Sequence, residues 1–313
     1  MSDSVLCLGL TPAVQRTLVF KRFEPGEVNR AVESHQTSAG KAVNTAVALA
    51  ALGTPACVTG FNGGASGRFL AAYVRERGVR ACFTAMPRPT RTCTTVIDAA
   101  SGVITELVEE NPDPGEAARA AFAARNERLA ARARLVAISG TLPPGTPDDF
   151  YVPFARRAAA AGVPVVIDSH REALLRVLPF QPLLAKLTVR ELEKTFGSAC
   201  GDEAAILLAA GRLRTAGAQW VFVTRGGRPA LLLGGEGCVW FDLPEIKVDN
   251  PIGSGDCTTA GFVHAWLDRR APAMEAAVCG LGCGMANALT RVPARFDPAA
   301  AERLARQVRC RKG

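Results

Sequence analysis

Residues 249–262, DNPIGSGDCTTAGF, combine a carboxylate with a run of small residues before a predicted helix. Gly253, Ser254 and Gly255 directly precede Asp256. Backbone N–H groups in the first turn of a helix have no partner within the helix, and small residues let an anion approach them closely. We therefore predict that these three residues form an anion hole that holds a phosphoryl oxygen.

The carboxylate of Asp256 has two interpretations. It could simply stabilise the start of the helix through the helix dipole. An ionised carboxylate beside an anion-binding site repels that anion, however, unless the carboxylate is there to accept a proton. This combination is typical of phosphoryl transfer, in which a base takes the proton of the acceptor hydroxyl while dipoles and a metal neutralise the phosphates. We predict Asp256 as that general base.

Two other glycine-containing loops fit nucleotide-binding motifs less well. SAGKAVN (38–44) is not a P-loop, because His35 and Ala42 stand where the pattern needs glycine and Ser or Thr. GFNGGASG (60–67) lacks the G-x-G-x-x-G spacing and a suitable acidic residue about 20 positions further on. We interpret it as a tight turn between a strand and a helix.

Composition limits the class of protein. The chain has 313 residues, 48% of them hydrophobic, which is enough for one large α/β domain or two ordinary ones. Its start, MSDSVLCLGL, lacks the charged region of a signal peptide, and no apolar run approaches the roughly 18 residues of a membrane span. We expect a soluble, cytoplasmic protein with neither a membrane nor a nucleic acid as partner. The net charge of +8 comes mainly from dispersed arginines, and it suits a small anionic substrate.

The ten cysteines contain no C-x2-C pair, and only three histidines accompany them. This pattern indicates neither a zinc cluster nor a disulfide framework, so we expect reduced, mostly packed thiols. Cys279 and Cys283 are four residues apart and should share one face of a helix. We interpret the pair as core packing rather than redox chemistry.

Strand-like and helical segments alternate along the chain. Predicted strands cover 5–10, 56–61, 135–139, 163–168, 220–224 and 245–248, and predicted helices cover 41–52, 66–78, 149–162 and 257–267. This βαβ alternation predicts a doubly wound, mostly parallel sheet with helices on both faces.

Two segments depart from the alternation. Residues 17–35 and 90–108 have the period of antiparallel strands, the second around an AASG turn. We predict one domain over 1–313, with a small β-stranded lid built from segments at about 11–37 and 88–110.

Six motifs, taken in order, resemble those of the PfkB/ribokinase carbohydrate kinases. NPIGSGD is similar to their G-[AS]-G-D signature, and SAGKAVNTAVALAALG to their N-terminal G-G-K-G-x-N-x-A signature. Between these two lie ISGTLPPGTP (138–147), VVIDSH (165–170), KLTVREL (186–192) and VTRGGRPA (223–230). LTPAVQRTLVF, TLPPG and GMANAL most resemble the hexose-phosphate branch, typified by tagatose-6-phosphate kinase and 1-phosphofructokinase.

The resemblance implies a ribokinase-like, three-layer α/β/α fold with a β-stranded lid, and ATP, Mg2+ and a sugar phosphate as ligands. It also implies a homodimer formed through the lids. Asp256 matches the general base behind the anion hole. Glu191 matches the acidic residue that orders Mg2+ through water.

The resemblance further assigns the binding residues. On the sugar-phosphate side it indicates Gln15, Gly40, Lys41, Asn44, Arg91 and Thr141, and on the nucleotide side Lys186, Thr188, Thr224, Gly226 and Asn287. Arg91 would hold the substrate phosphate, because a guanidinium can contact two phosphate oxygens at once. Each residue also has a plain alternative, such as a solvated lysine, a surface arginine or a polar group satisfied within its own helix.

Several positions depart from the family pattern. Gln15 stands for the usual Asp of N-P-A-x-D, Ala39 and Ala42 for glycines of G-G-K-G, Thr188 for the Asn of K-P-N, and Pro229 for a later glycine. Because Asp256, the anion hole and Glu191 are retained, we expect an ATP-dependent kinase that phosphorylates a hydroxyl of a phosphorylated ketohexose. Two alternatives stay open: a binding paralogue without activity, and a kinase of an unphosphorylated sugar or a nucleoside.

Overall fold

Within residues 3–235 and 237–313, which a computed structural model describes, the chain forms sixteen strands and ten α-helices. The strands are β1 (Val5–Leu8), β2 (Ala13–Phe20), β3 (Glu33–Ala39), β4 (Ala56–Thr59), β5 (Phe61–Asn62), β6 (Arg80–Ala81), β7 (Thr84–Ala85), β8 (Thr92–Asp98), β9 (Ile104–Val108), β10 (Leu135–Ser139), β11 (Val165–Asp168), β12 (Leu184–Thr188), β13 (Trp220–Arg225), β14 (Arg228–Gly234), β15 (Gly237–Asp242) and β16 (Arg309–Lys312). The helices are α1 (Lys41–Ala51), α2 (Gly64–Glu76), α3 (Glu116–Ala130), α4 (Val152–Ala160), α5 (Glu172–Leu175), α6 (Val189–Phe196), α7 (Glu203–Thr215), α8 (Ser254–Asp268), α9 (Ala273–Ala288) and α10 (Pro298–Ala305).

Ten strands build the central sheet, in the order β16-β15-β14-β13-β12-β11-β10-β1-β4-β6. The strands from β13 to β6 pair in parallel, and those from β13 to β16 pair antiparallel. The central strands are mostly apolar, because a parallel sheet covered by helices on both faces has no solvent side, and their main polar residues lie toward their carboxyl ends. Along β1, Val5 and Cys7 pack into one hydrophobic core, and Leu6 and Leu8 pack into the other. The predicted doubly wound α/β fold is confirmed.

A second sheet has the strand order β3-β2-β8-β9. The pairs β2–β3 and β8–β9 are antiparallel, as the alternation predicted, whereas β2 and β8 pair in parallel. In the AASG turn after β8, Gly102 takes a positive φ of 72°, a conformation that costs glycine little. The predicted small β-stranded element is therefore confirmed as part of the fold.

The segment before α8 corrects one prediction. Residues 245–248 are not a strand, and the residues directly after them bond to the end of a helix instead of a neighbouring strand. The N–H groups of Asp249 and Asn250 donate to the carbonyl of Ala288 at the end of α9, over 2.8 and 3.2 Å. The helix also starts earlier than predicted, at Ser254, so Asp256 lies within its first turn.

All ten cysteines are unpaired, and six of them are buried. Cys279 and Cys283 both lie on α9, as their spacing predicted. No helix in the described ranges is long and apolar enough to cross a bilayer.

Candidate active site

Four polar side chains, three of them predicted as site residues, gather at the carboxyl ends of the central strands. Asp168 is the last residue of β11, and Thr188 is the last residue of β12. Lys41 starts α1, and Asp256 lies in the first turn of α8. Ligands of open α/β sheets bind at this edge, so the topology places the four residues at or just beneath the expected ligand site.

The start of α1 depends on Gly40. This residue caps the helix with a φ of 107°, and a Cβ there would lie 2.9 Å from the Cα of Pro12. Both the conformation and the space therefore require glycine. The tight entry directs Lys41 and, one turn later, Asn44 toward the start of α8.

Asn44 connects the two helix starts. Its Nδ2 donates a hydrogen bond of 2.8 Å to Oδ2 of Asp256. Burial raises the pKa of Asp256 to about 7, and the Asp168 carboxylate adds to the shift. Lys41 and the hydrogen bond from Asn44 oppose it without cancelling it. A carboxyl group with a pKa near neutrality is suited to accept a proton and release it again.

Asp168 is the centre of a buried ion network. Lys41 Nζ lies 2.6 Å from Asp168 Oδ1, and Lys186 Nζ lies 2.8 Å from Oδ2. Thr259 also donates to Oδ2 over 3.2 Å. Asp168 and Lys186 are each only 1% exposed, so the pair is removed from water and bonded on both sides.

The network extends to Glu191 through Lys41. The same Nζ lies 2.6 Å from Glu191 Oε1, so one ammonium group bridges two carboxylates. Burial would raise the pKa of Asp168, but Lys186 and Lys41 outweigh it and hold that pKa well below its usual range. Burial would lower the pKa of Lys41, but Asp168, Glu191 and Asp256 together raise it. Lys41 and Asp168 are consequently both charged at neutral pH.

Glu191 is positioned by the start of α6. Its Oε2 accepts hydrogen bonds from the backbone N–H and the hydroxyl of Thr188, over 2.8 and 2.9 Å. The Thr188 hydroxyl in turn accepts from the N–H of Glu191, which completes a capping box. Burial and Asp168 raise the pKa of Glu191, but Lys41 and Lys186 reverse the shift and lower it. Thr188, a departure from the family pattern, thus fixes the orientation of this carboxylate.

The carboxylates fit a Mg2+ ion held through water and substrate phosphates. Each bonded oxygen of Glu191 keeps further lone-pair capacity, and the side chain is 16% exposed. No cluster of three or more His, Cys, Asp or Glu that could enclose a metal occurs in residues 3–235 and 237–313. Mg2+ usually keeps several waters and binds one or two carboxylates plus phosphates, so such a cluster is not required.

A cavity of about 280 Å3 opens beside the anion hole. It brings together Thr188, Thr224 and Gly226, which were predicted on the nucleotide side, and Ser254 and Gly255, which were predicted to hold phosphate. Apolar side chains complete the wall, among them Leu243, Ile246, Val248, Leu281 and Met285. An apolar cavity that ends at a helix N-terminus fits a flat base with an attached phosphate chain.

The small residues of the anion hole have a steric reason. Gly253 caps α8 with a φ of 82°, in the left-handed region. A Cβ on Gly255 would lie 2.7 Å from Lys186 Nζ, so this ammonium group sits directly beneath the loop. A larger side chain at 255 would displace a buried charge from Asp168.

Two residues predicted on the nucleotide side do not line this cavity. Lys186 lies below it, in the ion pair with Asp168. Asn287 is fully buried and donates to the carbonyl of Ile252 and to the hydroxyl of Ser254, over 2.9 and 3.0 Å. Its Oδ1 accepts from the N–H of Ala294 over 2.7 Å. In this structure the amide of Asn287 holds the loop that carries the anion hole.

Of the residues predicted on the sugar side, Gly40, Lys41 and Asn44 lie at the start of α1, Gln15 lies in the second sheet, and Arg91 and Thr141 lie in loops. Gln15 is 1% exposed, and its Nε2 donates to the hydroxyl of Thr95 over 2.7 Å. Arg91 donates to the carbonyls of Glu109 and Thr11, over 3.0 and 3.3 Å. Its Nε is buried without a hydrogen-bond partner. Thr141 is exposed on the loop after β10.

Sequence reasoning missed the role of Asp168. The motif VVIDSH was noted, but no function was given to its carboxylate. The available signal was an acidic residue at the end of a buried apolar strand, at the edge where ligands bind. The two lysines that pair with it, Lys41 and Lys186, come from helix and strand positions far apart in the chain.

The site has the parts that phosphoryl transfer needs: a base, a helix N-terminus, and a cavity beside it. The family model for pfkB family carbohydrate kinases matches residues 2–298. The chain belongs to this family, and it is an ATP-dependent sugar kinase.

Three solved structures are similar over almost the whole chain. A 1-phosphofructokinase candidate from Thermotoga maritima is 23% identical, with a TM-score of 0.90 over 99% of both chains. Phosphofructokinase-2 from Escherichia coli in complex with fructose-6-phosphate is 23% identical, with a TM-score of 0.87 over 98% of this chain and 99% of that one. Ribokinase from Arabidopsis thaliana, complexed with ribose and ATP, is 18% identical, with a TM-score of 0.75 over 97% and 99%. At these identities the likeness confirms the ribokinase-like fold.

Proposed function

We propose that this kinase transfers the γ-phosphoryl group of ATP to a hydroxyl of a phosphorylated ketohexose, of the tagatose 6-phosphate or fructose 1-phosphate type. The observation that carries the proposal is the position of Asp256. Its buried carboxyl group has a pKa near 7 and lies at the start of α8, whose first residues line the apolar cavity. Because the base and the anion hole lie on one helical turn, the base can act on the acceptor hydroxyl while the anion hole holds the phosphoryl group that is transferred to it.

In the proposed mechanism Asp256 accepts the proton of the sugar hydroxyl as that oxygen attacks the γ-phosphorus. The N–H group of Gly255 holds a phosphoryl oxygen, on which negative charge accumulates, whereas the N–H of Ser254 donates to the carbonyl of Pro251 over 3.1 Å and shapes the loop. Asn44 keeps the Asp256 carboxylate in place through its hydrogen bond to Oδ2. When bound through water at Glu191, Mg2+ supplies positive charge that neutralises the phosphates. Lys41 supplies a further fixed positive charge close to Asp256.

Two observations support an acceptor that already carries a phosphate. Arg91, which the family resemblance assigns to the substrate phosphate, has a buried Nε without a hydrogen-bond partner. The similar structures include a phosphofructokinase-2 bound to fructose-6-phosphate and a 1-phosphofructokinase candidate. A guanidinium on the substrate phosphate would give a phosphorylated acceptor an advantage over a free sugar.

We also propose that the second sheet is a lid, formed by the segments at about 11–37 and 88–110 of a single domain. Closing it over the acceptor would exclude water and limit ATP hydrolysis. Its strand β9 exposes Leu107 and Val108, and Val103 precedes them on the surface. This apolar edge suits a homodimer formed through the lids.

The test is ADP production from ATP and Mg2+ with a panel of acceptors. The panel contains tagatose 6-phosphate, fructose 1-phosphate, fructose 6-phosphate, ribose and nucleosides. We expect stimulation by a ketohexose phosphate and its loss in Asp256→Asn, with ATP binding retained in calorimetry. Asp249→Asn is the matched control, because Asp249 is an exposed carboxylate in the same segment.

The outcomes separate the alternatives. ATP binding without acceptor-stimulated ADP production would favour a binding paralogue that has lost the reaction. Phosphorylation of ribose or a nucleoside in preference to every sugar phosphate would contradict the proposed acceptor class. Full activity of Asp256→Asn would remove Asp256 from its role as base.

A further inference from the structure

The cavity beside the anion hole is walled largely by apolar side chains. Leu281, Met285 and Ala288 line it from α9, where their spacing of four and three residues places them on one face of the helix. Ile246 and Val248 line it from the segment before α8. Apolar walls hold a nucleobase through its flat faces, and every nucleobase has such faces.

Nucleobases differ at their edges, and the wall offers few side chains that could bond to an edge. Adenine carries an amino donor where guanine carries a carbonyl acceptor, so a site separates the two only through groups that bond there. Among the wall residues that the structure describes, none is charged and none carries an amide. The polar side chains of this wall are four hydroxyls, those of Thr188, Thr224, Ser254 and Thr258.

These four hydroxyls are engaged inside the protein. Three of them donate their single proton to protein acceptors over 2.9, 3.5 and 2.9 Å, those of Thr188, Thr224 and Thr258. The hydroxyl of Ser254 accepts from the amide of Asn287 over 3.0 Å, and it lies in the loop of the anion hole, at the phosphate end of the cavity. The described wall therefore keeps no hydroxyl as a donor for the edge of a base.

Asn287, which the family resemblance assigns to the nucleotide, is not available to a base either. It is fully buried and does not line the cavity. Its Nδ2 donates to the carbonyl of Ile252 and to Ser254 Oγ, and its Oδ1 accepts from the N–H of Ala294. Both ends of this amide are occupied by the protein itself.

The mouth of the cavity favours no particular base. Gly226, Gly227 and Val248 line the cavity and are exposed to solvent. The backbone of residues 245–248 lies in no strand and presents N–H donors and carbonyl acceptors in alternation, so it can pair with the amino group of adenine or with the carbonyl of guanine. An edge that faces water or such a segment keeps its hydrogen bonds, whichever base carries it.

We propose that this kinase selects its phosphoryl donor by the triphosphate and not by the base, so that GTP and ITP serve as donors in addition to ATP. The inference rests on the proposed function, which places the nucleotide in this cavity. With GTP the acceptor oxygen forms a bond to the γ-phosphorus, and the bond from that phosphorus to the β–γ bridging oxygen breaks. GDP then leaves, and Asp256 holds the proton of the acceptor hydroxyl.

The first test compares donors in turnover. It measures kcat/KM for ATP, GTP and ITP with Mg2+ and a saturating concentration of the most active acceptor, and mass spectrometry quantifies the phosphorylated sugar, a readout that does not depend on the base. A site that bonds the edge of its substrate rejects the wrong analogue by about 10⁴-fold or more, which an apolar wall cannot do. We expect the three values to lie within about tenfold of one another, and a larger preference for ATP over GTP would overturn the proposal.

The second test needs no acceptor. Calorimetry measures Kd for the non-hydrolysable analogues AMP-PNP and GMP-PNP in the presence of Mg2+. Kd values within about tenfold of each other support the proposal even if no sugar phosphate is phosphorylated, a result that would contradict the proposed function alone. Tighter binding of AMP-PNP by a larger factor would overturn the inference and leave the proposed reaction intact.

The third test asks which residues contact the base. Ile246→Ala should weaken both analogues equally, by roughly two- to tenfold, because it removes apolar contact that any base makes. Leu208→Ala is the matched control and should change neither Kd, since Leu208 is an exposed leucine of α7 outside the cavity. If Ile246→Ala changes the ratio of the two Kd values, or changes neither value, the apolar wall does not hold the base and the proposal fails.

The fourth test concerns Asn287. Asn287→Ala should lower kcat for ATP and GTP alike, because it releases the loop of the anion hole, and it should leave the ratio of their kcat/KM values unchanged. This ratio does not depend on the fraction of the variant that folds, since both donors are measured on one preparation. A shift of the ratio by more than about threefold would show that Asn287 bonds to the base, and it would overturn the proposal.

Discussion

Asn44 and Asp256 are joined by a hydrogen bond of 2.8 Å that connects the first turn of α1 to the first turn of α8. The donor is a neutral amide, so it holds the carboxylate without supplying the full charge that would fix it in the ionised form. Among the described residues no other side chain bonds to this carboxylate, which leaves Oδ1 for a substrate hydroxyl. The same relationship explains why burial prevails and raises the pKa of Asp256 to about 7.

The pH dependence of activity should report this pKa. Asp256 must be ionised to accept a proton, so kcat/KM for the sugar acceptor should rise between about pH 6 and pH 8, with a midpoint near 7. The measurement is a pH profile of kcat/KM under conditions that saturate the coupling enzymes. Glu191, whose pKa is lowered, should not titrate in this range. A midpoint below pH 5 would contradict the desolvation of Asp256.

Asp256 should also lower the stability of the folded protein at the pH values at which its carboxylate is ionised and can act as a base. Its pKa is raised from an ordinary 3.8 to about 7 on folding, so the native state binds the proton more tightly than the unfolded state. The stabilisation of the native state by this bound proton is complete below about pH 4 and is lost as the pH rises through 7. Asp256→Asn should therefore be more stable than the native protein at pH 8, by up to about 4 kcal/mol.

Urea unfolding of both proteins between pH 4 and pH 8 measures this difference. The advantage of Asp256→Asn should grow from pH 4 to pH 7 and level off above it. Asp249→Asn, at an exposed position, should show no such trend. If the stability of Asp256→Asn relative to the native protein fell between pH 4 and pH 8, the raised pKa of Asp256 would be contradicted.

The buried pair of Asp168 and Lys186 should show strong coupling. Their atoms lie 2.8 Å apart, and removing one partner leaves an uncompensated buried charge. We expect Asp168→Asn to lower the free energy of unfolding by about 3–5 kcal/mol at pH 7. The double variant Asp168→Asn/Lys186→Met should lose less than the sum of the two single variants, by at least about 1 kcal/mol.

The matched control for this cycle is the exposed pair of Glu172 and Arg176. Their atoms lie 3.1 Å apart on one helix face, with side chains 50% and 61% exposed. A double-mutant cycle of Glu172→Gln and Arg176→Met should give a coupling energy below about 1 kcal/mol. Equal coupling in the two cycles would mean that burial does not strengthen the interaction of Asp168 with Lys186.

Much of the site could be predicted from the sequence because its residues lie in local motifs. The glycine loop with Asp256 owes its geometry to neighbouring residues in the chain, and so does Glu191 in the first turn of a helix. The parallel sheet then brings these motifs to one edge, since the carboxyl ends of parallel strands meet there. Predicting the fold class was enough to predict that the motifs converge.

The interactions between motifs could not be predicted in the same way. Lys41 bridges Asp168 and Glu191, and this bridge depends on where the start of α1 lies relative to the end of β11 and the start of α6. The error at 245–248 has a similar cause. Ile246 and Val248 alternate with polar residues because both line the cavity beside the anion hole, and no neighbouring strand covers them. An alternation of apolar and polar residues indicates which side chains are buried, but it does not indicate whether a neighbouring strand or another part of the protein buries them.

Gln15 should contribute to the binding of the sugar acceptor and not to the binding of ATP. Its side chain is buried, its Nε2 is oriented by Thr95, and Thr37, which lies opposite it on β3, has a buried hydroxyl without a partner. Because Nε2 is engaged, Oε1 is available to accept a hydrogen bond from a sugar hydroxyl. Gln15→Ala should then raise KM for the acceptor roughly tenfold, the effect of one lost hydrogen bond, and leave KM for ATP unchanged.

The control for Gln15 is its neighbour Arg16, which is exposed on the opposite face of β2. Steady-state kinetics with each substrate varied in turn measures both KM values for Gln15→Ala and Arg16→Ala. Arg16→Ala should leave them unchanged, since successive residues of a strand point to opposite faces. Thr95→Val, which removes the hydroxyl that orients Gln15, should raise KM for the acceptor by a smaller factor. A rise in KM for ATP that equals the rise for the acceptor would place Gln15 outside the sugar site, and the kinase would then discriminate among its acceptors through Arg91 and Lys41.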